Sequence, residues 1–491
     1  MKSLSVVLNP ADRRSHINRA VYGHFSEHLG GCIYGGLWVG KDSPVPNTDG
    51  FRTDIIEAFR AIGVPVLRWP GGCFAEDYRW RDGIGDPAAR PGRINAYWGG
   101  VPESNAVGTH EFMRLCELIG CEPYLAVNMA SATVREASDW IEYMCYDGQS
   151  DLADERRRNG REEPWPLTYV GLGNENWGAG GAMSPEYYAD TYRHYQSYVR
   201  NLGRSHLFRV ACGPNEDDYH WTEVLMNRIH ESQVDALSLH YYTLPSGDWE
   251  RKGSALEYDR DEYYRTIRRT LRMDEIVRKH GAIIRRYSDH VGLAVDEWGT
   301  WYDVEPGTNP GFLYQQNTMR DAIVAACNLN IFNRRSDVVC MANLAQAVNV
   351  LQALVLALPD PSQPLVLTPT YHVFDLFRTH QDAENIYCHI ADVPEVEGMP
   401  ALSYSASLDG DGVITLTLAN ISLEENLQIS LPEEWNVSEA RLLHAEDVHA
   451  HNDFTDPEQV RPAHVTVTGG PVVIPACSVM ALRLTSTRRP S

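Results

Sequence analysis

Short apolar runs recur along the first three quarters of the chain, separated by segments whose apolar residues follow a helical period. Phe51, Ile55, Ile56, Phe59 and Ile62 share one helical face, Gly63 stands where a helix stops, and 64–69 follows as a strand that runs into Pro70-Gly71-Gly72. The unit repeats: Phe112, Leu115, Cys116 and Ile119 form a face, Gly120 ends it, and the run 123–127 leads to Asn128. Further strands are expected at 20–25, 169–172, 207–211, 234–242, 292–295 and 338–342, the last reaching Asn343 and Gln346. Helices are expected from Ser184-Pro185, with Tyr188, Tyr192, Tyr195 and Val199 on one face and Gly203 as the stop, and from Asp261 to His280. The charge-dense stretch 147–163 reads as a solvated loop or an exposed helix, and 244–259 as a long polar loop.

Strands that alternate with helices through eight units predict an α/β architecture with a parallel sheet, because parallel neighbours need crossover connections. A doubly wound open sheet shares that alternation. Polar residues at the C-terminal ends of nearly all the strands favour a closed (β/α)8 TIM barrel, whose active site is a ring of loops at those ends. From about residue 376 the period changes to two. Leu402, Tyr404, Ala406 and Leu408 alternate, Asp409-Gly410-Asp411-Gly412 turns, and Ile414, Leu416 and Leu418 alternate again; Val465-Val467 and Met480-Leu482-Leu484 continue the pattern. The expected domains are an N-terminal strand in 1–18 that joins a β-sandwich, a catalytic barrel over 19–375, and a C-terminal antiparallel, jelly-roll-like β-sandwich over 376–491.

Composition narrows the function. A length of 491 residues, 43% of them hydrophobic, suits an ordinary globular protein of two domains. A net charge of -23 argues against nucleic acid or an anionic membrane as partner and fits a neutral substrate. The ten cysteines are scattered without a CxxC pair, which argues against a zinc site and a disulfide framework. No apolar run is long enough to span a membrane, and the N-terminus lacks a cleavage-type segment, so a cytoplasmic location is expected.

The candidate chemistry sits at two strand ends. The run 169–172 delivers Asn174-Glu175-Asn176-Trp177, and 292–295 delivers Asp296-Glu297-Trp298. Two carboxylates, each beside a Trp, suit glycoside hydrolysis: one carboxyl group protonates the leaving oxygen, and the other attacks the anomeric carbon or activates water. The rival reading is a structural role, with either Glu paired to Arg68 or His240. Strand alternation is expected to point Asp296 away from the site. His240 and Tyr242 end another strand, and Glu27 follows the second.

The motifs GNENWGAGG, DEWGTWY, RWPGGCFAEDYRWRDGIG, HYY and ANLAQAVNVLQA together resemble glycoside hydrolase family 51, the intracellular α-L-arabinofuranosidases, over nearly the whole chain. That resemblance implies a retaining, exo-acting enzyme with Glu175 as acid/base and Glu297 as nucleophile, their carboxyl groups about 5 Å apart. It further implies that Tyr242 bonds the nucleophile, that Glu27, Asn174, His240 and Gln346 contact the sugar, and that Trp98 and Trp298 wall the pocket. The implied partners are arabinofuranosyl oligosaccharides from arabinan or arabinoxylan, with no metal or organic cofactor and a homo-oligomeric, often hexameric, assembly. The chain departs from the pattern at Cys73, where some members carry Asn, and at Ala179, where many carry Cys. Cys73 is expected to lose a polar contact to the sugar. A β-xylosidase or endoglucanase of the same family, and a catalytically silent sugar-binding scaffold, are the alternatives.

Overall fold

In the computed structural model, which describes residues 3–203, 206–467 and 470–487, strand β1 (Leu4–His16) precedes eight parallel strands that close into a barrel. These are β2 (Gly23–Phe25), β3 (Val66–Trp69), β4 (Glu122–Val127), β5 (Tyr169–Leu172), β6 (Phe208–Ala211), β7 (Ala236–Thr243), β8 (Gly292–Thr300) and β9 (Val339–Ala345). They neighbour one another in chain order, and β9 closes on β2 through Asn343 opposite Gly23. The barrel strands read as continuous apolar runs because helices cover their outer face and side chains fill the lumen. The lower lumen is packed by Ala20, Val66, Tyr124, Val210, Ala236, Ala294 and Met341. Above that plug the lumen turns charged, with Arg68, His240, Asp296 and Glu297 all buried.

The helices are α1 (Thr53–Ile62), α2 (Thr109–Ile119), α3 (Val134–Cys145), α4 (Asp151–Arg158), α5 (Pro185–Gln196), α6 (Tyr219–Arg228), α7 (Arg260–Ile284), α8 (Met319–Arg334) and α9 (Pro369–Phe377). Gly63 and Gly120 end α1 and α2 at φ 67° and 86°, the left-handed conformation that made them readable as stops. Three local expectations change. Arg19–Tyr22 form a 3-10 turn, since the Asn18 side chain accepts the Ala20 N–H at 2.9 Å, and only Gly23–Phe25 remain as strand. Helix α5 stops at Gln196, short of Gly203, and the Arg209 guanidinium binds the Val199 carbonyl at 3.0 Å beyond it. The charge-dense stretch does contain a helix, α4, but Arg156 on it is fully buried and donates to the carbonyls of Tyr143 and Tyr146 at 2.9 and 2.8 Å.

The C-terminal strands are β10 (Glu384–Ile390), β11 (Leu402–Leu408), β12 (Ile414–Asn420), β13 (Leu427–Ser430), β14 (Trp435–His444), β15 (Ala463–His464), β16 (Val472–Ile474) and β17 (Ser478–Ser486). With β1 they form a nine-stranded array in the order β15-β14-β17-β12-β11-β10-β1-β13-β16. Strand β1 is the turning point, antiparallel to β10 and parallel to β13. Strands from both ends of the order share one apolar core, in which Leu4, Leu416, Ile429, Ile474 and Leu482 meet, so the array folds over as a sandwich. The expected hairpin joins β11 to β12, with Leu408 opposite Ile414. Val465 and Val467 pack against this core, although β15 ends at His464.

Helix α8 joins the two units. Its residues from Met319 to Asn333 are all buried, because β8 lies on one side and β11, β12 and β17 on the other. A helix covered on every side shows no amphipathic period, which is why the sequence did not announce it. Two of its asparagines are matched across the junction: Ser405 and Thr417 donate to Asn330 at 2.7 and 2.8 Å, and Asn333 receives Tyr22 at 2.9 Å. Each bond contributes about 1 kcal/mol once formed, and an unmatched buried partner would cost about 1–3 kcal/mol.

Candidate active site

The C-terminal barrel ends bring the two strand-end Glu residues together. An oxygen of Glu175 and one of Glu297 lie within 4.8 Å of each other, with a His240 nitrogen also within 4.8 Å of both. Glu297 is 6% exposed, whereas the Glu175 side chain keeps 17% of its surface accessible from the cavity. That cavity is lined by Glu27, Leu29, Gly72, Cys73, Trp98, Glu175, Tyr242, Glu297, Trp301, Leu313, Gln346 and Leu351. Larger hollows exist, including one between Tyr34, Phe312 and Leu358, but no carboxylate pair faces them.

Glu297 is held from both sides. Arg68 donates to its Oε1 at 2.8 Å and the Tyr242 hydroxyl to its Oε2 at 2.8 Å. Burial and the neighbouring carboxylates keep the Tyr242 phenol well above its usual range, so it remains a donor. Burial raises Glu297, and His240 and Arg68 oppose that rise.

His240 bridges three carboxyl groups. Its Nδ1 donates to Glu175 at 2.9 Å and lies 3.5 Å from Glu297, and its Nε2 lies 3.2 Å from Asp296. Burial alone would push its pKa down, but the charge of Glu297 and the contacts to Asp296 and Glu175 outweigh this and raise it to about 10. His240 is therefore an imidazolium with both nitrogens committed.

Asp296 corrects the sequence expectation. It is 1% exposed and faces the lumen, where Tyr124 donates to it at 2.8 Å and Arg68 Nε lies 3.6 Å away. The reason is a bulge: Ser238 pairs with Ala294 and His240 with Glu297, so β8 carries one residue more than β7 over this stretch. The same extra residue appears against β9, between Val295 and Trp298. A bulge breaks alternation and re-aims side chains, so Asp296 and Glu297 both point inward. Burial would raise Asp296, but Arg68 and His240 pull it below the usual carboxylate range.

The bulge also overturns the placement of Trp298. Its indole turns outward, fully buried against Phe332 of α8 and Phe374 of α9, and does not line the cavity. Trp301, beyond the strand end, takes the wall position, edge-on to Tyr242 at 4.9 Å. Trp298→Ala is expected to destabilise the protein by about 3–5 kcal/mol, the range for a buried aromatic truncated to alanine. Trp301→Ala is expected to raise KM with little loss of stability. Denaturation midpoints and KM for the two variants check this.

The remaining candidates converge. Glu27 Oε1 accepts the N–H groups of Gly72 and Phe74, both at 3.0 Å, and the Trp98 indole at 2.9 Å, while its Oε2 accepts Gln346 at 3.1 Å. Burial, aided by the charge of Glu297, raises Glu27 to about 7 despite these donors. Asn174 accepts from Arg68 at 2.6 Å. Its Nδ2 and the Gln346 Oε1 are buried without a partner, a donor and an acceptor that suit hydroxyl groups. Cys73 touches the acid/base candidate, its thiol 3.5 Å from Glu175 Oε2. Gly72 is needed for close approach, since a Cβ there would sit 2.6 Å from Glu297 Oε1.

Sequence reasoning missed Trp301, Leu313 and Leu351 as wall residues; Arg68, named there only as a structural partner of either Glu, is the cation between Glu297 and Asn174. Among the described residues, Glu175, His240 and Glu297 also form the one set whose ligand atoms converge as a metal site requires. Both ring nitrogens of His240 already face carboxylates, at 2.9 Å from Glu175 and 3.2 Å from Asp296, an arrangement that fits an ion-paired network.

Two family models match the chain: an α-L-arabinofuranosidase 1 domain over residues 58–265 and an α-L-arabinofuranosidase C-terminal domain over 296–478. An intracellular exo-α-L-arabinofuranosidase of Bacteroides ovatus is 45% identical over 98% of this chain and 96% of its own. The crystal structure of a GH51 arabinofuranosidase from Xanthomonas axonopodis pv. citri superposes with a TM-score of 0.94 at 44% identity, covering 98% of this chain and 100% of that one. An arabinose complex of α-L-arabinofuranosidase from Thermotoga maritima gives a TM-score of 0.86 at 29% identity, covering 99% and 100%.

Proposed function

Because the chain belongs to glycoside hydrolase family 51, the α-L-arabinofuranosidases, we propose that it removes terminal α-L-arabinofuranosyl residues from arabinan or arabinoxylan oligosaccharides by double displacement. One observation carries the retaining assignment: carboxylate oxygens of Glu175 and Glu297 within 4.8 Å of each other, both lining the cavity. Retention goes with carboxyl groups about 5–5.5 Å apart, whereas inversion needs about 6.5–9.5 Å to admit a water. The exo reading is supported by the intracellular exo-α-L-arabinofuranosidase of Bacteroides ovatus, 45% identical over 98% of this chain.

In the first step a Glu297 oxygen attacks the anomeric carbon as the bond to the leaving oxygen breaks, and Glu175 gives that oxygen its proton. Negative charge then appears on Glu175, 2.9 Å from the His240 imidazolium. That cation is already in place, so its stabilisation needs no reorganisation. In the second step Glu175 takes a proton from water, the water oxygen attacks the anomeric carbon, and Glu297 departs. Arg68 and Tyr242 hold the Glu297 carboxylate in line for both steps. Glu27, the Asn174 amide and Gln346 bind ring hydroxyls, and Trp98 and Trp301 exclude water from the sugar faces.

Initial rates on aryl α-L-arabinofuranoside, β-D-xyloside and β-D-glucoside test the reading. Hydrolysis of the arabinofuranoside alone is expected; a faster xyloside or glucoside would replace the substrate, and no turnover at all would return the silent scaffold. A cytoplasmic location is in line with the intracellular relative and with the absence, among the described residues, of a helix able to cross a membrane. A homo-oligomer, and a hexamer in particular, is the assembly expected of the family. Sedimentation showing only monomer would refute it.

A further inference from the structure

Glu76 is 1% exposed, does not line the cavity, and has no part in the chemistry above. It ends the 3-10 turn Cys73–Glu76 that follows β3. Its carboxylate accepts four hydrogen bonds, all from the ends of two other barrel strands. Oε1 takes the Asn174 N–H at 2.5 Å and the Asn176 side-chain amide at 2.9 Å. Oε2 takes the N–H groups of Met129 and Ala130 at 2.7 and 2.8 Å. The groups that act on it are its burial, which pushes it up to about 7, and these four donors; no cation is among them. An unpaired buried carboxylate costs free energy, so its retention needs a reason.

What the four bonds hold is the turn that presents Glu175. Asn174 and Asn176 are its two neighbours in the chain, and both are tied to the same oxygen of Glu76. Glu175 itself has φ 46° and follows Gly173 at φ 89°, so a side chain sits in the left-handed region that non-glycine residues avoid. Such a conformation persists only where its surroundings over-determine it. The loop closes on itself as well, with Gly178 and Gly180 donating to the Glu175 carbonyl at 2.8 and 3.0 Å, and the Asn176 amide donating to Gly180 at 2.7 Å. If Oε1 is lost, Asn174 N–H and one Asn176 amide proton lose their acceptor and the turn can relax, carrying the Glu175 carboxyl away from His240.

We propose that Glu76 is a positioning residue for the acid/base: its carboxylate ties the ends of β4 and β5 together, clamps both neighbours of Glu175, and thereby fixes where the Glu175 carboxyl group stands over the sugar. This rests on Glu175 acting as general acid and base.

The test uses leaving-group dependence, which a merely structural loss would not produce. Glu76→Gln keeps the shape but turns one acceptor oxygen into an NH₂ group that faces N–H donors. For an alkyl α-L-arabinofuranoside, whose departure needs protonation, kcat/KM is expected to fall about 10- to 100-fold, while for the 2,4-dinitrophenyl glycoside it stays within about threefold. Azide, which needs no general base, should restore kcat on the dinitrophenyl substrate. Equal losses on both substrates, or none on either, overturn the proposal. Glu175→Ala measured beside it separates the failures: without a split there, the role of Glu175 itself fails; with a split there and none in Glu76→Gln, only the positioning role fails. If Glu76→Gln does not fold, Asn176→Ala removes one of the four donors and should show the same split in smaller measure; its absence overturns the proposal equally.

Discussion

Glu297→Ala is expected to lower kcat on aryl α-L-arabinofuranosides by about 10⁴- to 10⁶-fold, the scale on which removing an enzymic nucleophile acts. Without Glu297 no glycosyl-enzyme forms, and the remaining carboxyl groups cannot take its place. Glu27 is engaged by four donors, and Asp296 lies below, bound by Tyr124 and beside Arg68 and His240. The fold should survive, because Arg68 keeps Asn174 at 2.6 Å and the Asp296 carboxylate at 3.6 Å. Added azide should fill the space left by the side chain and give an arabinosyl azide of inverted configuration, since a single displacement replaces two. A denaturation midpoint near that of the parent, together with the product's configuration by NMR, decides the matter. Residual activity within tenfold of the parent, or an azide adduct of retained configuration, would move the nucleophile elsewhere.

Glu175→Ala should behave differently, and the difference is diagnostic. Loss of a general acid is expected to lower kcat/KM by about 10²- to 10⁴-fold where the leaving group needs a proton, and little where it does not. With a dinitrophenyl glycoside the first step stays fast, and the glycosyl-enzyme accumulates because no base activates water. Azide then intercepts it and gives the product of retained configuration. Removing this side chain also frees His240 Nδ1, which stays 3.5 Å from Glu297. The imidazolium then serves only the nucleophile and Asp296, so binding should hold while turnover fails. A uniform loss across leaving groups would contradict the acid/base role.

The approach of these two residues depends on features of very different visibility. Glu175 and Glu297 stood out because each ends a short apolar run, and in a parallel barrel the strand end is where a carboxylate meets the site. His240 and Tyr242 follow the same logic on β7. Glu27, Trp98, Asn174 and Gln346 came from the family pattern; the cavity gathers Glu27, Trp98 and Gln346, and Asn174 stands beside it on Arg68. Trp298 did not follow, although its sequence setting, directly after the nucleophile, looked as good. Cys73 was expected only to forfeit a sugar contact, yet its thiol meets Glu175 instead.

The sequence by itself determined the alternation of strands and helices, the change to period two beyond residue 376, and the strand ends at which carboxylates stand, because each of these is written in the spacing of neighbouring residues. The tertiary structure alone decided the orientation around Glu297. One extra residue in β8, visible only against β7 and β9, turns Asp296 into the lumen and Trp298 out of it. It alone also decided that Arg156 is buried, that α8 is covered on both sides, and that Glu76 grips the turn of Glu175 from the 3-10 turn after β3. Local spacing encodes which face a residue shares with its neighbours, whereas register, burial and hydrogen-bond partners are set by chain segments that are distant in sequence and adjacent only once folded.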